Sequence, residues 1–489
     1  MNFPLLTAIV FLPLLGAVAS ALLPKSRSGA ARWIALGVTL VDLALAIWMV
    51  IGFDTAAGMQ FVEKAVWIPQ VGIQYYLGVD GISISMVFLS ALLSVLAVAA
   101  SWNVETKPTS YFAMLMLLEV GMNGVFLALD FVLFYVFWEL VLVPMYFLIG
   151  TWGGPRREYA AIKFFLYTLF GSVFMLVGII ALYVHPAGGT FDIVALAGSG
   201  LPAGFQWWVF AAFFLGFAVK VPVFPLHTWL PDAHVEAPTA ASVLLAGILL
   251  KMGAYGFIRI ALPILPGAAK EWSGFIAALA AISIVYGAAV AFAQKDLKKL
   301  VAYSSVSHMG FVMLGIASGT AEGLTGAVAV MFSHGIVTGM LFFLVGMVYE
   351  RTHTRMIEEV SGLSAQIPVA GGFLAFASFA SLGLPGLSGF VGEFLSLLGA
   401  WKSDIPAAWV VIAAIGVLLA AAYTLWMVQR VVLGTQSAAV KDLRDLSGRE
   451  IAVLVPLAAL TLAVGLWWDA LLRFVDPAVA TIVARLAGA

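Results

Sequence analysis

Apolar residues run along this chain in blocks of about twenty, separated by short polar interruptions. A hydrocarbon layer about 30 Å thick needs roughly 20 apolar residues in helical conformation. Windows of that length predict fourteen helices, over 3–23, 32–52, 79–101, 110–128, 130–150, 160–184, 205–227, 239–262, 272–294, 300–318, 323–349, 368–399, 406–433 and 450–471. The segment around Asp476 to Leu486 is too short to span and is expected at the interface. Stretches 54–78 and 185–204 are too polar and too rich in Gly and Pro for lipid, and read as loops. The first block has no basic n-region and no clear small-residue cleavage site, so it reads as a retained helix. The expected fold class is an all-α polytopic membrane protein.

Composition supports this reading. The 489 residues are 63% hydrophobic and 10% charged, where soluble chains are about a quarter charged. A net charge of −1 with no basic tail gives no sign of nucleic-acid binding. With no cysteine, thiolate-held iron–sulfur clusters, cysteine-ligated zinc and thiol redox chemistry are excluded on this chain.

The 24 basic residues orient the bundle. One set of alternating loops holds sixteen: Lys25, Arg27, Arg32, Lys107, Arg156, Arg157, Lys163, Lys295, Lys298, Lys299, Arg351, Arg355, Arg430, Lys441, Arg444 and Arg449. The opposite set holds six: Lys64, Arg259, Lys270, Lys402, Arg473 and Arg485. Lys220 and Lys251 make up the remainder, inside helices. The richer set is expected in the cytoplasm, which puts both termini on the periplasmic side, as an even helix count requires.

Two of the predicted helices are broken. Helix seven carries Lys220-Val-Pro-Val-Phe-Pro-Leu-His-Thr-Trp-Leu-Pro, and helix twelve carries Ser381-Leu-Gly-Leu-Pro-Gly-Leu-Ser-Gly-Phe-Val-Gly-Glu. Proline removes an amide donor and clashes with the preceding turn. Backbone freed in this way at membrane depth must line a cavity or lie buried in protein. Interrupted helices in corresponding positions of two halves mark a transporter built from repeats. The two breaks lie five helices apart, an odd number, so two five-helix units in tandem would be inverted. The expected organisation is helices one to three in 1–109, a first repeat of helices four to eight in 110–262, a second of helices nine to thirteen in 272–433, and helix fourteen with a tail in 434–489.

Ionisable residues sit inside these helices. Glu119 and Glu139 are mid-helix, Lys220 precedes the first break, Lys251 is near the centre of helix eight, and Glu393 follows the second break. A charge at the bilayer centre costs roughly 3 kcal/mol on the lenient insertion scale, so five would cost roughly 15 kcal/mol, about the whole stability of a typical protein. They must pair, be hydrated or sit neutral. Structural ion pairing accounts for one such pair. Five groups on separate helices, two beside broken backbone, favour a proton path. His308 and His334, in helices ten and eleven, can pass a proton between ring nitrogens and are placed to bridge the lysines and glutamates. Ser304, Ser305 and Ser307 on the first turn of helix ten are placed to hold water. His227, Asp232, His234 and Glu236 have the residue types of a metal site, but capping and pairing across the broken helix explain them better. His227 and His234 remain accessory candidates with Glu119, Ser304 and Ser307, and no metal site is assigned. Asp296 with Lys295, Lys298 and Lys299 reads as an ordinary cytoplasmic loop.

Several of these runs resemble the antiporter-like subunits of respiratory complex I, the proton-translocating NADH-quinone oxidoreductase. They are Phe137-Trp-Glu-Leu, the segment from Lys220 to Lys251 with its His227-Thr-Trp-Leu-Pro-Asp-Ala-His-Val-Glu-Ala-Pro core, Asp296-Leu-Lys-Lys-Leu-Val-Ala-Tyr-Ser-Ser-Val-Ser-His-Met-Gly, and Leu384-Pro-Gly-Leu-Ser-Gly-Phe-Val-Gly-Glu-Phe. The resemblance covers roughly 75–435. A glutamate at Glu393, and no long lateral helix after helix fourteen, resemble the subunit M, or NADH dehydrogenase subunit four, type. The resemblance implies that Glu139 pairs with Lys220 on a cytoplasmic half-channel, that Lys251 is the central relay and that Glu393 opens the exit. It implies flavin (FMN), iron–sulfur clusters and quinone on partner subunits and none here, with subunits of the L and N types as neighbours in a bacterial inner membrane. Multi-subunit sodium/proton antiporters and membrane-bound hydrogenases share these motifs and are the alternative.

Overall fold

The computed structural model describes residues 3–488; Met1, Asn2 and Ala489, and with them the expected sidedness of the two chain ends, lie outside the described residues. The longer helices are α1 Leu5–Ala21, α2 Ala31–Ile51, α3 Gly81–Ala100, α4 Pro108–Leu127, α5 Phe131–Trp152, α6 Arg157–Val184, α7 Ala203–Lys220, α8 Trp229–Glu236, α9 Thr239–Ile264, α10 Pro266–Phe292, α11 Leu297–Ser318, α12 Ala321–Thr352, α13 Pro368–Ser381, α14 Ser388–Trp401, α15 Ala407–Val432, α16 Gly448–Leu466 and α17 Asp469–Ala487, with single helical turns at Ile193–Leu196 and Leu363–Gln366. Each of the fourteen predicted segments coincides with an apolar helix. By length and composition, twelve helices can cross a membrane among the described residues, while α1 and α13 are apolar but shorter. Helix seven appears as α7 and α8, and helix twelve as α13 and α14, with both interruptions where proline and glycine place them.

Two expectations are corrected. The 54–78 stretch is not only loop. It holds an antiparallel hairpin of β1, Gln60–Ile68, and β2, Ile73–Val79. Its polarity hid strand-forming residues such as Val62, Val66 and Trp67. Glu63 of β1 accepts from the free amides of Leu6 and Thr7 at 2.8 and 3.0 Å, so the hairpin caps the start of α1. The tail is also longer than expected. α17 buries Leu471, Val475, Val479, Ile482 and Leu486 on one face, and Thr325 of α12 donates to its Asp476 at 2.8 Å.

The central spans of α9 and α12 are fully enclosed, and those of α3 and α11 nearly so. α2, α6, α15 and α16 lie outside, with apolar residues such as Leu166, Phe170 and Val177 exposed along α6. Loops predicted on one side do meet at one end. Arg32 donates to the Trp102 carbonyl at 3.2 Å, Arg449 to Asn103 at 3.1 Å and Arg351 to the Arg444 carbonyl at 2.9 Å. At the other end Lys64 pairs with Asp192 at 2.9 Å, Lys402 with Glu322 at 2.5 Å, and Arg259 with Asp80.

A buried line of ionisable side chains

The first interruption is held by side chains. After Lys220 the Trp229 indole donates to the Val219 carbonyl at 2.9 Å, and Ser283 of α10 accepts from the Phe224 amide at 3.0 Å. Lys220 is buried with no hydrogen-bond partner, its Nζ 4.9 Å from the centre of the Trp138 ring. Glu139, next to Trp138 on α5, acts on Lys220 electrostatically, and Tyr135, one turn earlier, reaches its carboxylate. Glu139 Oε1 is also without a partner, so the two groups that the resemblance pairs stand near each other with no ion pair between them.

The second group is a line of adjoining side chains, hydrogen-bonded at both ends but not between its two histidines, where His334 Nε2 has no partner. α9 contains a π turn over Leu245–Leu249, a widening often found at functional sites. Just beyond it Lys251, fully buried, folds back to the Ala246 carbonyl and contacts His334 Nδ1 at 2.6 Å. The His334 and His308 rings lie 5.7 Å apart, centre to centre. His308 Nδ1 meets Glu393 Oε1 at 2.8 Å, and its Nε2 meets the Ser381 hydroxyl at 3.1 Å and Tyr423 at 3.5 Å. Ser381 ends α13 and Glu393 lies in α14, so the second break delivers both groups to one histidine. Gly383 and Gly386 sit there at φ of 79° and 93°, the left-handed region that favours glycine. A Cβ on Gly389 would lie 2.0 Å from the Ala380 carbonyl. Lys251, His334 and His308 each lie near the midpoint of their helices, so the line crosses the bundle at one depth.

The accessory candidates divide. Ser304 and Ser307 donate to the carbonyls of Val301 and Ile284, both at 2.8 Å. His227 packs on Phe224 and Tyr286, and His234 stacks on Phe342 with a 4.6 Å ring separation. Asp232 pairs with Lys163 at 2.7 Å, and Glu236 with Arg156 at 3.6 Å, as capping and pairing across the break require. Glu119 is buried away from this line, beside Asp42.

One reading is corrected here. Lys298 is no loop residue. It is buried in the first turn of α11 and donates to the Ala237 and Val235 carbonyls at 2.6 and 3.5 Å. Those carbonyls end α8, so Lys298 holds the junction between α8 and α9, and Arg355 supports it by donating to Val235 at 2.8 Å. Tyr423, Ser381 and Asp42 were also missed. Asp42 carried the same signal as Glu119, an acidic residue inside an apolar run.

Residues 128–420 match the family described as NADH:quinone oxidoreductase/Mrp antiporter, transmembrane, and residues 21–128 match the amino terminus of NADH-ubiquinone oxidoreductase chain 4. NADH-quinone oxidoreductase subunit M of Rhodobacter capsulatus is 46% identical, over 98% of this chain and 96% of that protein. A chain in the structure of respiratory complex I from Thermus thermophilus superposes with a TM-score of 0.90 at 33% identity, covering 98% of this chain and 99% of that one. A chain of the Mrp complex from Dietzia shares the fold, with a TM-score of 0.85 at 23% identity over 99% and 98% of the two chains. The buried lysine–histidine–glutamate line thus sits on a shared fold and a closely matched sequence, and the chain belongs to the antiporter-like membrane subunits of NADH-quinone oxidoreductase, of the subunit M or chain 4 type.

Proposed function

We propose that this chain moves protons through the membrane arm of NADH-quinone oxidoreductase by way of Glu139, Lys220, Lys251, His334, His308 and Glu393, driven by NADH oxidation on other subunits. The observation that carries the reading is the run of contacts from Lys251 through His334 and His308 to Glu393. Each member can hold or release a proton, and each neighbour is within one side chain of the next.

Glu139 and Lys220 control loading. Two opposite unit charges about 4 Å apart interact by roughly 4 kcal/mol at an effective dielectric near 20. A movement of Glu139 toward or away from Lys220 therefore decides whether Lys220 keeps its proton or passes it toward Lys251. Lys251 alternates between ammonium and amine, His334 and His308 carry the proton across, and Glu393 releases it. Flavin, iron–sulfur clusters and quinone belong to partner subunits, consistent with a chain that lacks cysteine. Neighbours of the L and N types, a bacterial inner membrane, periplasmic termini and the inverted repeats 110–262 and 272–433 complete the reading.

Arginine stays protonated in proteins, so Lys251→Arg keeps the charge and prevents its release. Vesicles carrying the assembled complex with Lys251→Arg should take up protons almost as poorly as those with Lys251→Ala. Near-normal uptake by Lys251→Arg would reduce this position to a fixed charge and remove it from the relay.

A further inference from the structure

A second set of buried polar side chains lies outside both interrupted helices, where α2, α3 and α4 meet. Asp42 of α2 and Glu119 of α4 are completely buried, each near the middle of its helix. They face each other, and Ser94 of α3 faces Glu119. Asn123, one turn beyond Glu119, donates to Asp42 Oδ2 at 3.1 Å and to the Ile9 carbonyl of α1 at 3.3 Å. No well-formed hydrogen bond reaches Asp42 Oδ1, either oxygen of Glu119, Asn123 Oδ1, or the hydroxyls of Ser90 and Ser94. Polar atoms left open at membrane depth are costly, and something must complete them.

The ionisable groups facing this pair are the two carboxyls themselves; no Lys, Arg or His of α1, α2, α3 or α4 stands against them. Two carboxyls sharing one poorly solvated site cannot both stay ionised. A proton held between them supplies the missing donor. Ser90 and Ser94 fall on one face of α3, one turn apart, and Ser101 follows just past the end of that helix. Ser101 bonds the Tyr111 hydroxyl of α4 at 3.0 Å. Both line a cavity with Asn103, Glu350 and Arg449, at the end of the bundle that gathers most basic residues.

We infer that Asp42 and Glu119 form a further proton-exchange site, a carboxyl pair that takes up and returns one proton toward the Ser101–Tyr111 cavity, separate from the lysine–histidine line. The inference rests on the proton-translocating reading above. The open oxygens, Asp42 Oδ1 and both oxygens of Glu119, also have the chemistry to hold a sodium ion, and the test separates that ion from a proton.

The test uses the intact purified complex with Glu119→Gln, Asp42→Asn and, in parallel, Lys251→Ala. Infrared difference spectra through a pH titration follow the protonated carboxyl, and vesicles report quinone-linked proton uptake. In both amide variants the titrating carboxyl band should shift in position and in the pH at which it appears, because the remaining carboxyl has lost its partner. Uptake should fall about tenfold or more, although an amide keeps the shape of a neutral acid. Normal uptake with an unchanged band in the assembled variants overturns the inference. So does a band that responds to sodium at constant pH and not to pH. Where Glu119→Gln prevents assembly, Asp42→Asn carries the same test. Normal uptake by Lys251→Ala defeats the translocation reading itself; an inactive Lys251→Ala beside normal carboxyl variants defeats only this inference.

Discussion

Lys251 and Lys220 meet the same difficulty, an ammonium group inside the membrane, with different surroundings. Lys251 has a carbonyl and a histidine nitrogen within reach. Lys220 has the face of Trp138 and no hydrogen bond, so its charge depends on cation–π attraction and on Glu139. Removing the Glu139 charge strands Lys220, which is worse than shortening the side chain that carries it. Quinone-linked proton uptake, measured at matched assembly, should therefore fall much further in Glu139→Gln than in Glu139→Asp. Equal losses would mean that position and not charge is what Glu139 supplies. At the far end of the line Glu393 needs a titratable group. Glu393→Gln should abolish transfer, while Glu393→Lys should retain part of it. If both are equally inactive, Glu393 works through its negative charge on His308.

At the scale of elements, the two interruptions were legible because proline and glycine break helices for local reasons. The placing of two histidines beside Lys251 and Glu393 was legible too, since His308 and His334 lie in apolar runs of helices ten and eleven, between those that carry Lys251 and Glu393. The partners that hold the short helices beside each break were not. Lys298 looked like a loop residue because its neighbours Lys295 and Lys299 are basic, and only the fold brings the end of α8 to it. The hairpin was hidden because apolar density was weighed over 54–78 and residue alternation was not. These structural supports have measurable strength. Lys298→Met leaves the Ala237 carbonyl without its donor and should cost about 1–3 kcal/mol of stability, seen as a lower melting temperature of the purified complex. Gly389→Ala drives a methyl group into the Ala380 carbonyl and should destabilise by about as much. Gly372→Ala, with nothing within 4 Å of the new atom, should melt as the parent does.

The whole molecule alternates its loops between two ends, and the contacts among loops agree with that alternation. Since the chain has no cysteine, single introduced thiols report sidedness cleanly. Ala438→Cys should react with an impermeant maleimide from the cytoplasm, and Ala57→Cys from the opposite face. Labelling of both from one side would overturn the topology. The line from Lys251 to Glu393 also has an electrical consequence. Carrying an elementary charge across the full membrane potential is worth about 2.3 kcal/mol per 100 mV. Movement at constant depth does no work against that field. Because Lys251, His334 and His308 share one depth, voltage should act on the steps that load Lys220 and discharge Glu393, and leave the transfer between the two halves of the molecule unaffected.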